Sequence, residues 1–280
     1  MHSKHIAKVA AGLTACALAL SLTACGGGAS DGDTGNTQNA GATQGTGDFR
    51  NSKEPVSVSQ AFGSKGLWFS SDAPGKDEQI NRILLFDGNG NVTCYMTGDL
   101  TYSDIKDMSD EEIISHLGEW DKAGFDKWKE SNFFRIDKLI EGHEARANGA
   151  QERIDFNKKA ADNLREDRKQ IEALQYQEPT AVPFKLSIET DNSGNVTAEE
   201  TLSFSVKSPA YFDCDSPYDK RVLWADEDER YTFTSRGTDS PMVYDKYYNG
   251  YYEAELWTQV GEEFTVFDLD TPDTEGIEVD

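Results

Sequence analysis

The sequence predicts an α+β fold: an antiparallel β-sheet or barrel-like domain that carries an inserted, charged helical hairpin. Apolar and polar residues alternate over 182–188 and 202–207, which indicates strands with one buried and one wet face. Asp-Gly and Asn-Gly pairs mark tight turns between such strands. Residues 102–178 are instead rich in charge, and their apolar residues recur at helical spacing.

Residues 1–24 predict an export signal. Lys4 and Lys8 give a cationic start, and an apolar run from Val9 to Leu20 follows. This run is too short to span a bilayer comfortably at about 1.5 Å per residue. The segment is therefore expected to be a cleaved signal and not a transmembrane helix.

The signal ends in Leu22-Thr23-Ala24-Cys25, which resembles the lipobox of bacterial lipoproteins of the Gram-positive type. The resemblance implies that Cys25 receives a diacylglyceryl group on its sulfur, with acyl chains such as palmitate, and becomes the mature N-terminus. The protein would then be anchored in the cell membrane on its outer, extracytoplasmic face. The alternative is an ordinary cleaved signal with an incidental cysteine. A second match, Leu13-Thr14-Ala15-Cys16, has too few apolar residues before it to complete a signal.

Residues 25–55 predict a flexible tether rich in Gly, Ser, Thr and Asn. A chain of this composition and length has a root-mean-square reach of about 30 Å. No later stretch of the sequence has the 18 apolar residues that a second membrane segment would need. We therefore expect a domain held off the membrane surface.

The β domain is predicted over 56–101 and 179–280. Gly66-Leu67-Trp68 opens its first strand, and a hairpin with an Asp87-Gly88 turn follows. The tripeptide and the order of strands faintly resemble the Gly-x-Trp start of lipocalin-like barrels. That resemblance implies a closed barrel that holds a ligand, while an open sheet or a sandwich is the alternative.

Residues 102–178 predict the inserted helical hairpin. Ser109-Asp110-Glu111-Glu112 has the capping-box pattern of a helix start. Gly118 and Gly142 are expected to interrupt the first helical stretch, and Asn148-Gly149 is expected to be a further break. The charged second helix carries a narrow apolar stripe, which suits an exposed antiparallel pair.

Cys94 and Cys214 form an even pair once Cys25 is lipidated, and this predicts a disulfide in an oxidising compartment. Closing a loop of that length contributes about 5 kcal/mol in the chain-entropy model. The alternative is two free, buried thiols, since Cys94 lies on the apolar face of its strand.

An aromatic segment around Asn249-Gly250 predicts a hairpin and a candidate binding surface. Tyr and Trp are favoured at recognition hot spots, so this surface suits a glycan, cell-wall or protein partner. The alternative is cross-strand aromatic pairing that stabilises the hairpin itself. The candidate surface comprises Tyr244, Tyr247, Tyr248, Tyr251, Tyr252 and Trp257.

We expect no catalytic site, metal or cofactor. Ser103-Asp104-Ile105-Lys106 fits Ser-x-x-Lys, but its companion motifs are missing, so Ser103 is interpreted as a cap or turn residue. The segment from Asp87 begins like a calcium loop, yet Val92 stands where that loop needs glycine. The acidic run 226–229 is expected to be a solvated loop.

The chain has 51 acidic and 27 basic residues and a formal net charge of −24. This charge argues against nucleic-acid binding and against a basic face that lies on an anionic membrane. The expected function is a lipid-anchored, non-catalytic binding or interaction module. The alternatives are a solute-binding lipoprotein that feeds a transporter and a cell-envelope hydrolase.

Lipidation at Cys25 can be tested by Cys25→Ser in a Gram-positive host fed an alkyne-tagged palmitate. We expect wild-type protein to incorporate the label and C25S to lose it, because the resemblance implies that the diacylglyceryl group is attached through the sulfur of that residue. Cys16→Ser is the matched control and should keep the label. Label retained by C25S would contradict the assignment.

Overall fold

The computed structural model describes residues 48–211, 222–239 and 242–280. The predicted signal, Cys25, Cys214 and most of the tether lie outside these residues. The α+β class is confirmed by three β-sheets and two long helices. No helix within the described ranges combines the length and the apolar character needed to cross a bilayer.

The elements follow one another in a β–α–β order along the chain. The helices are α1 (Val58–Phe62), α2 (Asp110–Arg146) and α3 (Gln151–Ala173), and a 3-10 turn covers Phe49–Asn51. The strands are β1 (Val56–Ser57), β2 (Lys65–Ser70), β3 (Arg82–Asp87), β4 (Asn91–Met96), β5 (Val182–Pro183), β6 (Lys185–Thr190), β7 (Thr197–Tyr211), β8 (Val222–Phe233), β9 (Thr238–Asp239), β10 (Tyr247–Tyr251), β11 (Leu256–Val260), β12 (Phe267–Asp268) and β13 (Glu278–Val279).

The strands form one large open sheet and two smaller ones. The large sheet has the order β5-β4-β3-β2-β11-β10-β9, and β5 and β9 are its edges within the described residues. The closed barrel implied by the lipocalin-like resemblance is therefore wrong, and the open-sheet alternative holds. A second sheet has the order β13-β6-β7-β8, and β1 pairs with β12. The pairings β1–β12 and β13–β6 are parallel, whereas the others are antiparallel.

Both faces of the large sheet are covered. Trp68 and Leu84 lie in a core cluster that also contains Leu202 and Phe204 of the second sheet. On the other face, residues such as Phe69 pack in a cluster with the start of α2. In the large sheet, α2 and the segment before it cover the second face. The strands predicted over 182–188 and 202–207 lie mostly in the second sheet, where buried residues such as Leu186 and Leu202 alternate with more exposed ones, as predicted.

The end of the predicted tether belongs to the β domain. Phe49 is buried, and its ring centroid lies 5.8 Å from that of Phe267 and 6.4 Å from that of Trp68. Arg50 contributes a carbonyl that accepts a hydrogen bond from Gly261 N at 2.8 Å. The expectation of a flexible tether over 25–55 is thus wrong for its last residues, because one aromatic side chain there has a place in the core.

The helical hairpin is confirmed, with different internal boundaries. Ser109 and Glu112 form the predicted capping box. The helix α2 continues through Gly118 and Gly142, so the predicted breaks there are wrong. The chain turns only near Gly149, whose φ is +85°, and α3 follows. Glycine lowers helix propensity by about 1 kcal/mol, which tertiary packing of a long helix overcomes.

A buried carboxylate joins the helical hairpin to the large sheet. Asp121 on α2 accepts a hydrogen bond from Met96 N at 2.7 Å and another from the Tyr176 hydroxyl at 2.8 Å. Burial raises the pKa of Asp121, while these two donors oppose the rise. One side chain thereby fixes α2, the end of β4 and the segment after α3 relative to one another.

A pair of buried carboxyl groups, Glu200 and Asp270, holds the C-terminal segment. Asp270 accepts hydrogen bonds from the Ser59 amide at 2.6 Å and the Ser59 hydroxyl at 2.7 Å, and its own amide donates to Glu200 at 2.9 Å. Burial, together with the nearby Asp270 carboxylate, raises the pKa of Glu200 to about 8. Glu200 is therefore mainly protonated at neutral pH, which avoids two adjacent buried charges.

The close approach of α2 to β4 predicts a sharp contrast between two glycines. A Cβ on Gly124 would lie 2.7 Å from Met96 Cβ, whereas one on Gly118 would meet no atom within 4 Å. We expect Gly124→Ala to lower the free energy of unfolding by about 1–3 kcal/mol through overpacking. Gly118→Ala should raise it by up to about 1 kcal/mol through helix propensity. Urea denaturation measures both, and equal effects would contradict this packing.

Candidate functional site

The predicted Asn249-Gly250 turn lies inside a strand. Both residues belong to β10, where Asn249 pairs with Thr258 and Gly250 pairs with Trp257. The connection to β11 runs instead through residues 252–255. Glycine is required at 250 because a Cβ would overlap the Leu256 carbonyl oxygen. The predicted hairpin is confirmed, but the predicted position of its turn is wrong. In the sequence, a glycine that close strand approach requires cannot be distinguished from a glycine in a turn.

Half of the predicted aromatic surface is buried core. Tyr248, Tyr251 and Trp257 are at most 3% exposed. The ring centroids of Tyr251 and Phe233 lie 4.3 Å apart, and the Trp257 indole donates to the Ser71 carbonyl at 3.0 Å. These three residues are therefore wrong as surface residues. Their aromatic rings supply packing, which is the alternative that the sequence left open.

Tyr244 is held in a tight turn and packs, partly buried, against the cluster that contains Tyr248. Its φ is +50° and that of Asp245 is +60°, and Val243 and Lys246 exchange backbone hydrogen bonds across them. The Tyr244 and Ser103 hydroxyl oxygens are 3.2 Å apart. Ser103 is thus a loop residue that contacts a turn, in agreement with its interpretation from the sequence.

The Tyr244 ring also has two cationic neighbours. The Lys106 ammonium lies 5.2 Å from the ring centroid and that of Lys76 lies 5.7 Å from it. Both distances fit cation–π contacts. The ring is therefore already engaged within the chain.

Two tyrosines of the predicted surface remain accessible. Tyr247 is 37% exposed and Tyr252 is 61% exposed. Tyr252 begins the connection between β10 and β11, and residues 253–255 of that connection line a cleft described next. The accessible aromatic groups thus lie at opposite ends of β10 and do not form one patch.

A polar cleft of about 390 Å³ lies between the large sheet and the edge of the second sheet, and we call it the inter-sheet cleft. Residues from three distant parts of the chain meet there. The side chains are predominantly polar or charged, with both hydrogen-bond donors and acceptors. The lining residues are Ser70, Arg82, Glu229, Arg230, Tyr231, Thr232, Glu253, Ala254 and Glu255.

Arg82 is the electrostatic centre of the inter-sheet cleft. Its guanidinium lies 2.8 Å from Glu229 and 3.4 Å from Glu227, and it donates to Cys94 Sγ at 3.6 Å. Burial would lower the pKa of Arg82, but these neighbours raise it above its ordinary value. Burial raises the pKa of Glu229, and Arg82 opposes that rise. The ion pair joins β3 to β8 and so holds the two walls together.

Cys94 is a free, buried thiol behind this arginine. Burial raises its pKa to about 11, so the thiol is neutral at physiological pH. This does not support the predicted disulfide, and its partner Cys214 lies outside the described residues. The alternative of a buried thiol on the apolar face of a strand fits Cys94.

The two acidic segments singled out in the sequence, the turn at Asp87 and the run 226–229, lie in different kinds of local structure. Asp87 caps its turn by accepting hydrogen bonds from Asn89 N at 2.7 Å and from Asn91 Nδ2 at 2.9 Å, as the turn interpretation predicts. The run 226–229 lies within β8 and not in a solvated loop. Within the part of the chain that the structure describes, no three potential metal ligands cluster together.

The buried ion pair predicts a pH-dependent loss of stability. Arg82→Met leaves Glu229 without its cation, and we expect the free energy of unfolding to fall by about 2 kcal/mol at pH 7, less than for a fully buried pair. The pKa of Glu229 rises further in this variant, so the deficit should shrink as the pH falls to 5 and the carboxylate is protonated. Denaturant titrations at both pH values measure this.

The double variant R82M/E229Q is the control for that prediction. It removes both charges and should recover most of the loss at pH 7. A deficit that is independent of pH, or a double variant as unstable as R82M, would show that packing and not the ion pair holds the walls together.

Three comparisons, with protein families, curated proteins and solved structures, find no match for this chain.

Proposed function

We propose that this chain is a lipid-anchored, extracytoplasmic binding module whose ligand enters the inter-sheet cleft. The observation that carries the proposal is the cleft itself, a recess of about 390 Å³ lined by charged and hydroxyl side chains. Ligand sites are concave and place a few polar groups for specificity. The lipobox at Cys25 supplies the anchor, and the tether gives the domain access to partners near the membrane.

The construction of the cleft supports a preformed site. The connection between β10 and β11 forms one side of the cleft. Its other walls are strands of two sheets that share one core cluster, and the Arg82–Glu229 pair bridges them. Side chains on such elements lose little conformational freedom when a ligand binds. Donors on Arg230 and Thr232 and acceptors on Glu253 and Glu255 then provide the polar contacts.

The acidic groups favour binding over hydrolysis. In the cleft, Glu229 is committed to Arg82, and Glu253 and Glu255 lie exposed on a turn. The buried carboxyl pair Glu200 and Asp270 is instead committed to holding the C-terminal segment. A hydrolase would need a positioned acid and base facing the same bound substrate.

Filling the cleft tests the proposal. Glu253→Trp places an indole among the lining residues and should weaken binding at least tenfold, whichever ligand the wild type retains. Glu262→Trp makes the same change at an exposed position outside the lining and should bind like the wild type. Purified domain is screened against cell-wall glycans, peptides and small solutes, and hits are measured by titration calorimetry.

Two results would contradict the proposal. One is that the wild type binds no member of any ligand class in the screen. The other is a ligand that E253W and the wild type bind equally well. Both variants should retain the wild-type melting temperature within about 2 °C, which separates loss of the site from loss of the fold.

A further inference from the structure

One strand that lines the inter-sheet cleft has an unpaired edge. In the second sheet β8 is the terminal strand, and it pairs with β7 over all its residues, from Val222 with Tyr211 to Phe233 with Glu200. Among the described residues, the outer edge of β8 has no backbone hydrogen-bond partner. Every second residue of such a strand directs its N–H and C=O groups outward.

The cleft runs along that edge. Four consecutive residues of β8, from Glu229 to Thr232, line it. Because side chains of a strand alternate between the two faces of its sheet, four successive residues border one recess only where the recess lies beside the strand's edge. At about 3.3 Å per residue, this edge is about 13 Å long. An added strand of four residues would match it.

The charged side chains beside this edge are mainly acidic. Asp226, Glu227 and Asp228 precede the lining residues on β8, and Glu253 and Glu255 stand on the opposite wall. Lys207 lies 2.7 Å from Asp226, and Arg82 neutralises part of the charge of Glu227 and Glu229.

Beside the free edge, unpaired acidic side chains outnumber unpaired basic ones. Asp228, Glu253 and Glu255 have no ion-pair partner in the described ranges, and Arg230 is the opposing unpaired cation there. The surroundings of the free edge therefore favour a positively charged ligand.

We propose that the inter-sheet cleft binds an extended, cationic polypeptide segment, which adds to β8 as a further antiparallel or parallel strand. This inference rests on the proposed function and names its ligand class. Backbone hydrogen bonds to the β8 edge supply affinity, and lysine or arginine side chains meet the acidic rim. Exposed edges recruit strands readily, and acidic side chains on this one select against acidic partners.

A second copy of this chain is the competing occupant, and its charge opposes it. Edge-to-edge pairing of two β8 strands would bring two copies of the 226–229 acidic run together, in chains that each carry a net charge of −24. Like charges placed opposite one another on paired strands destabilise the pairing. A cationic partner would instead be attracted electrostatically to the same acidic run.

The test uses fluorescein-labelled peptides and the mature domain in 150 mM salt. The probe is (Lys-Thr)5-amide with fluorescein on its N-terminal amine. Equally labelled (Gln-Thr)5 and (Glu-Thr)5 are the charge controls, and a fully N-methylated (Lys-Thr)5 is the backbone control. We expect binding of the lysine peptide by fluorescence anisotropy and at least tenfold weaker binding of all three controls. N-methylation keeps the charge and removes the N–H donors, so it separates strand addition from general attraction.

Charge variants locate the interaction. Glu253→Gln with Glu255→Gln should weaken binding of the lysine peptide at least fivefold. Glu130→Gln with Glu172→Gln changes the net charge equally on exposed positions of the helical hairpin and should leave binding unchanged. Equal loss in both double variants would overturn the inference in favour of non-specific attraction.

The remaining outcomes separate this inference from the proposed function. If the N-methylated peptide binds as well as the parent, or if E253W fails to weaken the lysine peptide, strand addition in the cleft is refuted. A dimer in light scattering that E253W dissociates would identify a second copy as the occupant. A glycan or solute that E253W releases, with no binding of the lysine peptide, would overturn this inference while the proposed function survives.

Discussion

The central strands β2 and β3 bury side chains on both faces of the large sheet, and the remaining layers are arranged around them. Trp68 and Leu84 point into the core shared with the second sheet, while Phe69 and Ile83 point into the core under α2. Fully burying a side chain of this kind contributes about 1.5–3 kcal/mol. Two-sided burial therefore accounts for both the attachment of the second sheet and the docking of the helical hairpin.

The cleft is a consequence of how the second sheet meets this core. The strand β8 is buried at its C-terminal end, where Tyr231 and Phe233 join the core cluster, and it is exposed over Asp226, Glu227 and Asp228. One strand thus passes from core to open edge, and Arg82 bridges to it where the burial ends. Polar groups that the core cannot accommodate collect at that boundary, which is why the recess there is lined by polar side chains and by the Arg82–Glu229 ion pair.

The class of the fold and several local elements follow from short-range physics that a single sequence displays. The Ser109 capping box and the Asp87 turn each depend on a few neighbouring residues, and both are found where the pattern predicts them. The errors arise where distant contacts decide. Gly118 lies within a helix that packing extends, and Gly250 serves strand approach and not a turn.

The candidate site is the part of the structure that is hardest to predict from the sequence. Its walls come from segments about 150 residues apart, such as Arg82 and Glu229, and pairing between them depends on the topology of two sheets. The aromatic segment has the stronger sequence pattern, although half of its rings fill the core. The acidic run 226–229 was the available signal, since such a run on a strand marks an edge that avoids self-pairing. Because 226–229 lie on β8, those carboxylates stand at the open edge of the second sheet and not in a solvated loop. There they would repel a second copy of this acidic chain and, in the mode of binding that we propose, attract a strand of opposite charge.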